Sequence, residues 1–155
     1  MKKIEQNKPL PAFSFVSTIA DLTDFASLKG ENLVIYFYPK DNTKGCTQEG
    51  LDFASLYKTF LKNKTNIIGI SRDSLKSHEK FREKYALPFA LIADTDEKLC
   101  KAFEVIKEKN MYGKKVMGIE RSTFLIDKKG IVRQVWRKVK VQDHVKEVLA
   151  AVKTL

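Results

Sequence analysis

Three continuous apolar runs stand out along the chain. They cover residues 33–38 (LVIYFY), 66–71 (NIIGIS) and 89–94 (FALIAD), and they are rich in β-branched and aromatic side chains. Runs of this kind predict strands that are buried on both faces. Pro39 follows the first run and ends the strand, because proline fixes its own backbone and lacks an amide hydrogen.

Between and after these runs, apolar residues recur every three or four positions, which predicts helices. The predicted helices cover residues 47–61, 75–85, 95–103 and 145–152. Asp73 or Ser74 is the expected N-cap of the second helix. Acidic residues open the third helix, where they suit the positive end of the helix dipole.

The remaining segment with a clear pattern is a hairpin. Residues 122–127 (STFLID) and 131–139 (IVRQVWRKV) flank Lys128-Lys129-Gly130, a short loop that ends in glycine. Strands that alternate with helices imply an α/β layer architecture, here with an antiparallel pair at one edge. The chain has 155 residues with no repeat and no linker, so we expect a single domain over residues 1–155.

Composition narrows the class of protein. The chain is 43% hydrophobic and carries a net charge of +10, but its lysines are spread along the whole sequence. The stretches 107–115 and 137–141 are the nearest approaches to a basic stripe, so we expect a solvated surface and no nucleic-acid partner. No apolar run approaches the roughly 20 residues of a membrane span, and the N-terminus lacks the apolar segment of a signal peptide.

Few residues suit metal binding or disulfides. Two cysteines far apart make neither a disulfide framework nor a zinc pattern, which favours a reducing compartment, the cytoplasm. His78 and His144 are the only histidines. His78 falls on an apolar helical stripe, where a packed core residue is expected, and His144 opens the last helix. We therefore expect no metal site.

Cys46 has the surroundings of a functional cysteine. A small buried thiol would lie in an apolar pattern, yet residues 41–49 (DNTKGCTQE) are polar throughout. Gly45 permits a tight turn before a helix start, whose free N–H groups and partial positive charge favour a thiolate. Ionisation alone makes no fast catalyst, so other groups must orient a substrate. Thr43 is the natural candidate, since a tight loop would bring its hydroxyl beside the sulfur.

The same residues match a known pattern. Residues 37–49 (FYPKDNTKGCTQE) resemble the peroxidatic motif of peroxiredoxins, P-x-x-x-T-x-x-C, with Pro39, Thr43 and Cys46 at its fixed positions. Residues 77–94 (SHEKFREKYALPFALIAD), residues 118–130 (GIERSTFLIDKKG) and the closing helix resemble the bacterioferritin comigratory protein subfamily, also called PrxQ. The resemblance covers nearly the whole chain.

This resemblance implies a thioredoxin-like fold, with a central mixed β-sheet flanked by helices, and a thiol-dependent peroxidase that needs no cofactor. Cys46 would attack hydrogen peroxide or an organic hydroperoxide and become a sulfenic acid. Thr43 would bind the peroxide and Pro39 would shield the sulfur from water. Arg121 would hold the thiolate and polarise the peroxide, while Glu49 would hold Arg121.

The sequence departs from the subfamily in its second cysteine. Many members carry a resolving cysteine where this chain has Leu51, and others carry it within the region 77–85, which has none here. Only Cys100 remains, and its helical setting favours a structural role. The resemblance then implies a one-cysteine enzyme, monomeric or weakly dimeric, recycled by thioredoxin, glutaredoxin or glutathione.

Other readings remain open at this point. Cys100 could resolve the sulfenic acid within the chain, although a disulfide needs Cα atoms within about 7 Å. A thiol-disulfide oxidoreductase would want a C-x-x-C motif, but residues 46–49 read CTQE. A third alternative is a basic binding or chaperone-like module whose cysteine is incidental, and salt-sensitive nucleic-acid binding without peroxide consumption would favour it.

Overall fold

A five-stranded sheet forms the centre of the molecule. The computed structural model describes residues 4–155, so residues 1–3 of the predicted domain lie outside the described residues. The strands are β1 (Asn32–Phe37), β2 (Thr65–Ser71), β3 (Ala90–Ala93), β4 (Ile106–Met111), β5 (Lys114–Ile119), β6 (Ser122–Ile126) and β7 (Val132–Trp136). The helices are α1 (Lys44–Ser55), α2 (Tyr57–Lys62), α3 (Leu75–Lys84), α4 (Lys98–Ala102) and α5 (His144–Val152). The extent of the domain, residues 1–155, stays a prediction.

The sheet is mixed, as predicted. Its strand order is β3-β2-β1-β6-β7, with β1, β2 and β3 parallel and β6 antiparallel to both β1 and β7. The three buried strands and the hairpin at the edge are therefore confirmed, with ends that shift by at most three residues. Gly130 has a φ of 82° in the hairpin loop, a conformation that glycine adopts without strain.

Two hydrophobic cores lie on opposite faces of this sheet. Side chains alternate between the faces of a strand. In β1, Leu33, Ile35 and Phe37 belong to one core, while Val34 and Tyr36 belong to the other. Helix α4 packs in the first core, and residues of α1, α2, α3 and α5 pack in the second.

The helix predicted over residues 47–61 is in fact two helices, and it begins earlier than predicted. Helix α1 starts at Lys44, ends at Ser55, and is followed by α2 after a break at Leu56. The Ser55 hydroxyl donates to the carbonyl of Asp52 at 2.8 Å, a back-bond of the kind that bends helices. The apolar residues keep a helical spacing across Leu56, so the sequence pattern predicted one continuous helix.

A second hairpin was missed by the sequence reading. Strands β4 and β5 pair antiparallel as a separate two-stranded sheet. Most of their side chains are exposed, so neither strand shows an apolar alternation. The turn places both Tyr112 and Gly113 at positive φ, 54° and 77°, as a type I′ turn requires. Tyrosine is not a usual residue there, which hid the turn signal.

The predicted starts of α3 and α5 hold. Ser74 is the N-cap of α3, and its side chain accepts a hydrogen bond from the amide of Ser77. His144 opens α5, as expected. The helix predicted over residues 95–103 is shorter, because α4 covers Lys98–Ala102 and has no acidic residue in its first turn. Asp94, before the predicted helix, instead accepts from the amides of Leu99 and Cys100. Within residues 4–155, none of the helices combines the length and apolar character that a membrane crossing requires.

Candidate active site

Cys46 lies in the first turn of α1, as its third residue. Thr43 is the N-cap and carries no side-chain capping bond in the described structure. The first amides of a helix have no partner within it, and they concentrate partial positive charge around this turn. Cys46 is nevertheless only 2% exposed, because it packs into the second core.

Sheet register brings Arg121 to this turn from far along the sequence. Phe37, the last residue of β1, pairs with Ser122, the first residue of β6. Arg121 therefore lies beside the loop that leads from β1 into α1. Its Nη2 donates to the Sγ of Cys46 at 3.4 Å, and its Nη1 donates to the Oε1 of Glu49 at 2.7 Å. The three predicted residues Cys46, Arg121 and Glu49 form one contact group.

Glu49 is a buried carboxylate whose salt-bridge partner among the described residues is Arg121. Its side chain is 0% exposed, and its Oε2 has no hydrogen-bond partner among the described residues. Burial raises the pKa of Glu49 from 4.5 to about 7, although the charge and hydrogen bond of Arg121 act to lower it. Burial lowers the pKa of Arg121, but Glu49 and then Cys46 outweigh it and the net shift is upward. Arg121 therefore stays a cation beside the sulfur.

Gly45 makes room for this arginine. A Cβ at Gly45 would lie 3.1 Å from Nη2 of Arg121, closer than most side-chain contacts allow. The expected turn at Gly45 is wrong, because the residue already belongs to α1 and is not among the glycines with positive φ. Close approach of the guanidinium, rather than backbone freedom, is what the structure requires there.

Thr43 and Pro39 lie on the same loop, but their contacts differ from those of Arg121. The Thr43 hydroxyl donates to the carbonyl of Lys40 at 2.8 Å, and the residue is exposed. Pro39 is half-buried directly after β1. The hydrogen bond of Thr43 to a peroxide and the shielding of the Cys46 sulfur by Pro39 stay predictions.

Cys100 lies in the other core, across the sheet from Cys46. It is 0% exposed, and its amide donates to the Oδ2 of Asp94 at 2.8 Å. Burial, reinforced by the hydrogen bond and charge of Asp94, raises the pKa of the Cys100 thiol far above its ordinary value. Both cysteines are free. The sulfur of Cys100 is thus held as a neutral thiol, with a sheet between it and Cys46.

A polar group beside the site was missed by the sequence reading. Asp41, Asp73 and His78 bring one ligand-type atom each within 4.8 Å of one another. His78 is 0% exposed and Asp41 is 6% exposed, so His78 is buried as predicted, but in polar company. These atoms are already joined to each other and to neighbours by hydrogen bonds. In the sequence, the only signal for this polar group was the position of Asp41 within the peroxidatic motif.

Comparison with known proteins identifies the class to which this fold and site belong. The AhpC/TSA family matches residues 7–135. Peroxiredoxin Bcp of Xanthomonas campestris is 61% identical over 124 residues, which are 80% of this chain and 78% of that protein. Peroxiredoxin Bcp of Bacillus subtilis is 46% identical over 152 residues, 98% of this chain and 97% of that protein.

Solved structures of similar proteins superpose closely on this chain. A cysteine-to-serine variant of Xylella fastidiosa PrxQ superposes with a TM-score of 0.92 at 40% identity, covering 99% of this chain and 98% of that one. Xanthomonas campestris peroxiredoxin Q superposes with a TM-score of 0.87 at 54% identity, covering 92% and 90%.

The chain belongs to the AhpC/TSA family and has the thioredoxin-like fold of its peroxiredoxins. Within the family it is a peroxiredoxin of the bacterioferritin comigratory protein, or PrxQ, subfamily. It is a thiol-dependent peroxidase, with a peroxide as substrate and a thiol as reductant.

Proposed function

We propose that Cys46 is the peroxidatic cysteine, that Arg121, Thr43 and Pro39 complete its site, and that an external thiol resolves it. The observation that carries this proposal is the Arg121 guanidinium, 3.4 Å from the Cys46 sulfur and fixed by Glu49 at 2.7 Å. A cation with two hydrogen bonds in fixed directions stabilises negative charge on the sulfur and on an attached peroxide oxygen.

The chemistry follows from this arrangement. The thiolate of Cys46 attacks one peroxide oxygen, so that an S–O bond forms while the O–O bond breaks. The cysteine is oxidised to a sulfenic acid, and the leaving alkoxide or hydroxide takes a proton and departs as alcohol or water. Arg121 stabilises the charge that develops on the breaking bond. Thr43 would donate to or accept from the bound peroxide, and Pro39 would limit access of water.

Resolution by an external thiol is supported by the position of Cys100. The two cysteines pack in cores on opposite faces of the sheet. A disulfide needs Cα atoms within about 7 Å, whereas layers packed on one sheet are about 10 Å from it. An intramolecular disulfide would therefore require α4 to leave its core. An external thiol instead attacks the sulfenic acid, releases water and forms a mixed disulfide, which a second thiol reduces.

The substrate class follows the relatives. A solved structure of the Xanthomonas campestris bacterioferritin comigratory protein is described in connection with its alkyl peroxide reduction activity. We extend this class to the present chain, so that both hydrogen peroxide and organic hydroperoxides are substrates. Thioredoxin, glutaredoxin or glutathione in the cytoplasm would act as reductant for a monomer or weak dimer.

Peroxide consumption with defined thiols tests the proposal. Wild type should consume cumene hydroperoxide and hydrogen peroxide with dithiothreitol and with at least one of thioredoxin, glutaredoxin and glutathione. Cys46→Ser should be inactive, and Thr43→Val, which keeps the shape of the side chain, should lose about a hundredfold. Full activity of Cys46→Ser would overturn the assignment of the peroxidatic cysteine. Unchanged rates for Thr43→Val would remove Thr43 from the site.

A further inference from the structure

A buried hydrogen-bond network anchors the loop between β1 and α1. The carboxylate of Asp41 accepts from the Tyr38 hydroxyl at 2.6 Å and from the Ser77 hydroxyl at 2.8 Å. Its Oδ2 also lies 2.8 Å from Nδ1 of His78. The side chains of His78 and Asp41 are 0% and 2% exposed, so these bonds are shielded from water. Asp41 is joined through them to Tyr38, the residue directly after β1, and to the start of α3.

Both ring nitrogens of His78 face acceptors. Nε2 lies 2.8 Å from the carbonyl oxygen of Ile92, which can only accept, so Nε2 carries a hydrogen. Nδ1 faces the carboxylate of Asp41, which already accepts two hydroxyl hydrogens. Burial raises the pKa of Asp41, but the hydrogen bond and charge of His78, and then hydrogen bonds from Tyr38 and Ser77, outweigh it, and the net shift is downward. At 2.8 Å a hydrogen lies between Nδ1 and Oδ2, and an ionised Asp41 leaves that hydrogen on Nδ1, which makes the ring an imidazolium.

The backbone of Asp41 is anchored too. Its amide donates to Oδ2 of Asp73 at 2.8 Å, and the Ser71 hydroxyl donates to the same oxygen. Ser71 is the last residue of β2, and Asp73 follows it by two residues. Asp41 stands two residues after Pro39 and two before Thr43. Its anchoring therefore fixes the loop that carries both Pro39, the predicted shield of the sulfur, and Thr43, the predicted peroxide contact.

We infer that Asp41 and a doubly protonated His78 are positioning residues, whose buried ion pair holds the peroxidatic loop in the geometry that peroxide attack requires. The inference rests on the proposed function of Pro39 and Thr43. Cys46 is only 2% exposed, so an external thiol reaches its sulfenic acid only when the first turn of α1 moves. Asp41 stands three residues before Lys44, the first residue of α1, and it keeps the peroxide-binding side of the loop in place during each opening.

The protonation of His78 is tested directly by nitrogen-15 NMR of the histidine side chains. The chain has only two histidines, and His144→Gln assigns the signals of the other. At pH 7 we expect both His78 nitrogens to show attached hydrogens, and Asp41→Asn to leave a hydrogen only on Nε2. A bare Nδ1 in wild type would overturn the ion pair.

The positioning role is tested by single-turnover oxidation of Cys46. Asp41→Ala should slow oxidation by cumene hydroperoxide by about tenfold to a hundredfold, because displacement of about 1 Å has costs of this order. Asp41→Asn should recover part of the loss, since an amide can still bond both Tyr38 and His78. Oxidation at the wild-type rate in folded Asp41→Ala would overturn the inference.

Two further comparisons separate positioning from general stability. Asp94→Asn replaces a buried carboxylate in the opposite core by a neutral amide. It should therefore lower the stability of the protein without changing the rate of Cys46 oxidation. If Asp41→Ala does not fold, Ser77→Ala and Tyr38→Phe each remove one donor to Asp41 and should slow oxidation severalfold; unchanged oxidation in both would contradict the role. Inactive wild type, or active Cys46→Ser, would instead contradict the proposed function and leave the NMR result for His78 standing.

Discussion

The two cysteines of this chain differ in the charge that each one meets. Cys46 is 2% exposed and Cys100 is 0% exposed, so burial does not distinguish them. Cys46 lies in the first turn of α1 with a guanidinium 3.4 Å from its sulfur. Cys100 lies in α4 beside the carboxylate of Asp94, which accepts from its amide. A cation favours a thiolate and a carboxylate opposes one, so the same residue type receives opposite chemistry on the two faces of one sheet.

This contrast also explains how the chain can function without a usual resolving cysteine. Cys100 is kept neutral by burial and by Asp94, and it packs in a different core from Cys46. A neutral thiol is a poor nucleophile toward a sulfenic acid. We therefore expect the thiol that resolves Cys46 to come from outside the chain, at the face where Cys46 lies.

The largest expected effect comes from removing each cysteine in turn. Cys46→Ser should lower peroxide turnover by about a thousandfold or more, because the nucleophile is lost. Cys100→Ser should keep turnover within about twofold with dithiothreitol as reductant, since a neutral buried thiol takes no part in the chemistry. Steady-state peroxide consumption measures both. Comparable losses of peroxide turnover in the two variants would contradict the proposed difference between Cys46 and Cys100.

Removing the cation should have the next largest effect. Arg121→Ala should lower the rate of Cys46 oxidation by about a hundredfold to a thousandfold, as loss of a preorganised donor to developing charge does. Arg121→Lys keeps the charge but not the two-donor geometry, so its rate of Cys46 oxidation should lie between those of wild type and Arg121→Ala. Stopped-flow oxidation by hydrogen peroxide measures the rate. Arg133→Lys, at a side chain that is 50% exposed and paired with Asp127, is the control and should oxidise normally.

The rate of Cys46 oxidation in wild type, relative to that in Glu49→Gln, should depend on pH because Glu49 titrates. Its pKa of about 7 means that in the folded protein it is mostly protonated at pH 6 and mostly ionised at pH 8. Ionised Glu49 holds Arg121 more firmly. The oxidation rate of wild type divided by that of Glu49→Gln should therefore rise by about tenfold from pH 6 to pH 8, an effect of about 1.4 kcal/mol.

Stability should move in the opposite direction over this range. The folded pKa lies above the ordinary value of 4.5, so the contribution of Glu49 to stability is fully present below pH 4.5 and is lost as the pH rises through about 7. The free energy of unfolding of wild type, relative to Glu49→Gln, should fall across this window in urea titrations. A flat rate ratio together with a flat stability difference would show that Glu49 does not titrate there.

On the other face, Asp94→Asn should affect stability but not chemistry. The carboxylate accepts from the amides of Leu99 and Cys100, and an asparagine side chain has only one oxygen to replace both acceptors. We expect a loss of about 1–2 kcal/mol in the free energy of unfolding. Peroxide turnover below the unfolding transition should stay at the wild-type value. A large drop in turnover would show that the two faces of the sheet are coupled.

The smallest effect is expected at Gly45. Gly45→Ala would place a methyl group 3.1 Å from Nη2 of Arg121, so the guanidinium must shift by a few tenths of an ångström. Oxidation of Cys46 should slow about threefold, because the shift weakens a contact to the sulfur. Gly50→Ala is the matched control in the same helix, since its Cβ would make ordinary contacts of 3.5 Å or more.

The sequence predicted the central sheet well and placed the motif residues on one loop, for local reasons. Buried strands such as β1 and β2 are continuous apolar runs, and Pro39, Thr43 and Cys46 are close neighbours in the chain. Arg121 could be placed only by resemblance, because the pairing of Phe37 with Ser122 is a long-range property of the sheet.

Other features left weaker signals or none. The hairpin of β4 and β5 has mostly exposed side chains and so lacks an apolar period. The anchoring of Asp41 depends on His78, far along the sequence, so the pattern around His78 indicated only that it is buried. The opposite settings of Cys46 and Cys100 became visible only when strand alternation placed their helices on different faces.

Intact mass under denaturing quench distinguishes an external resolving thiol from Cys100. Reduced wild type, Cys46→Ser and Cys100→Ser are each treated with one equivalent of hydrogen peroxide in the absence of added thiol. We expect wild type and Cys100→Ser both to gain oxygen or to form dimers through Cys46, while Cys46→Ser is unchanged. Loss of two hydrogens in wild type, and in neither variant, would show a Cys46–Cys100 disulfide and contradict resolution by an external thiol.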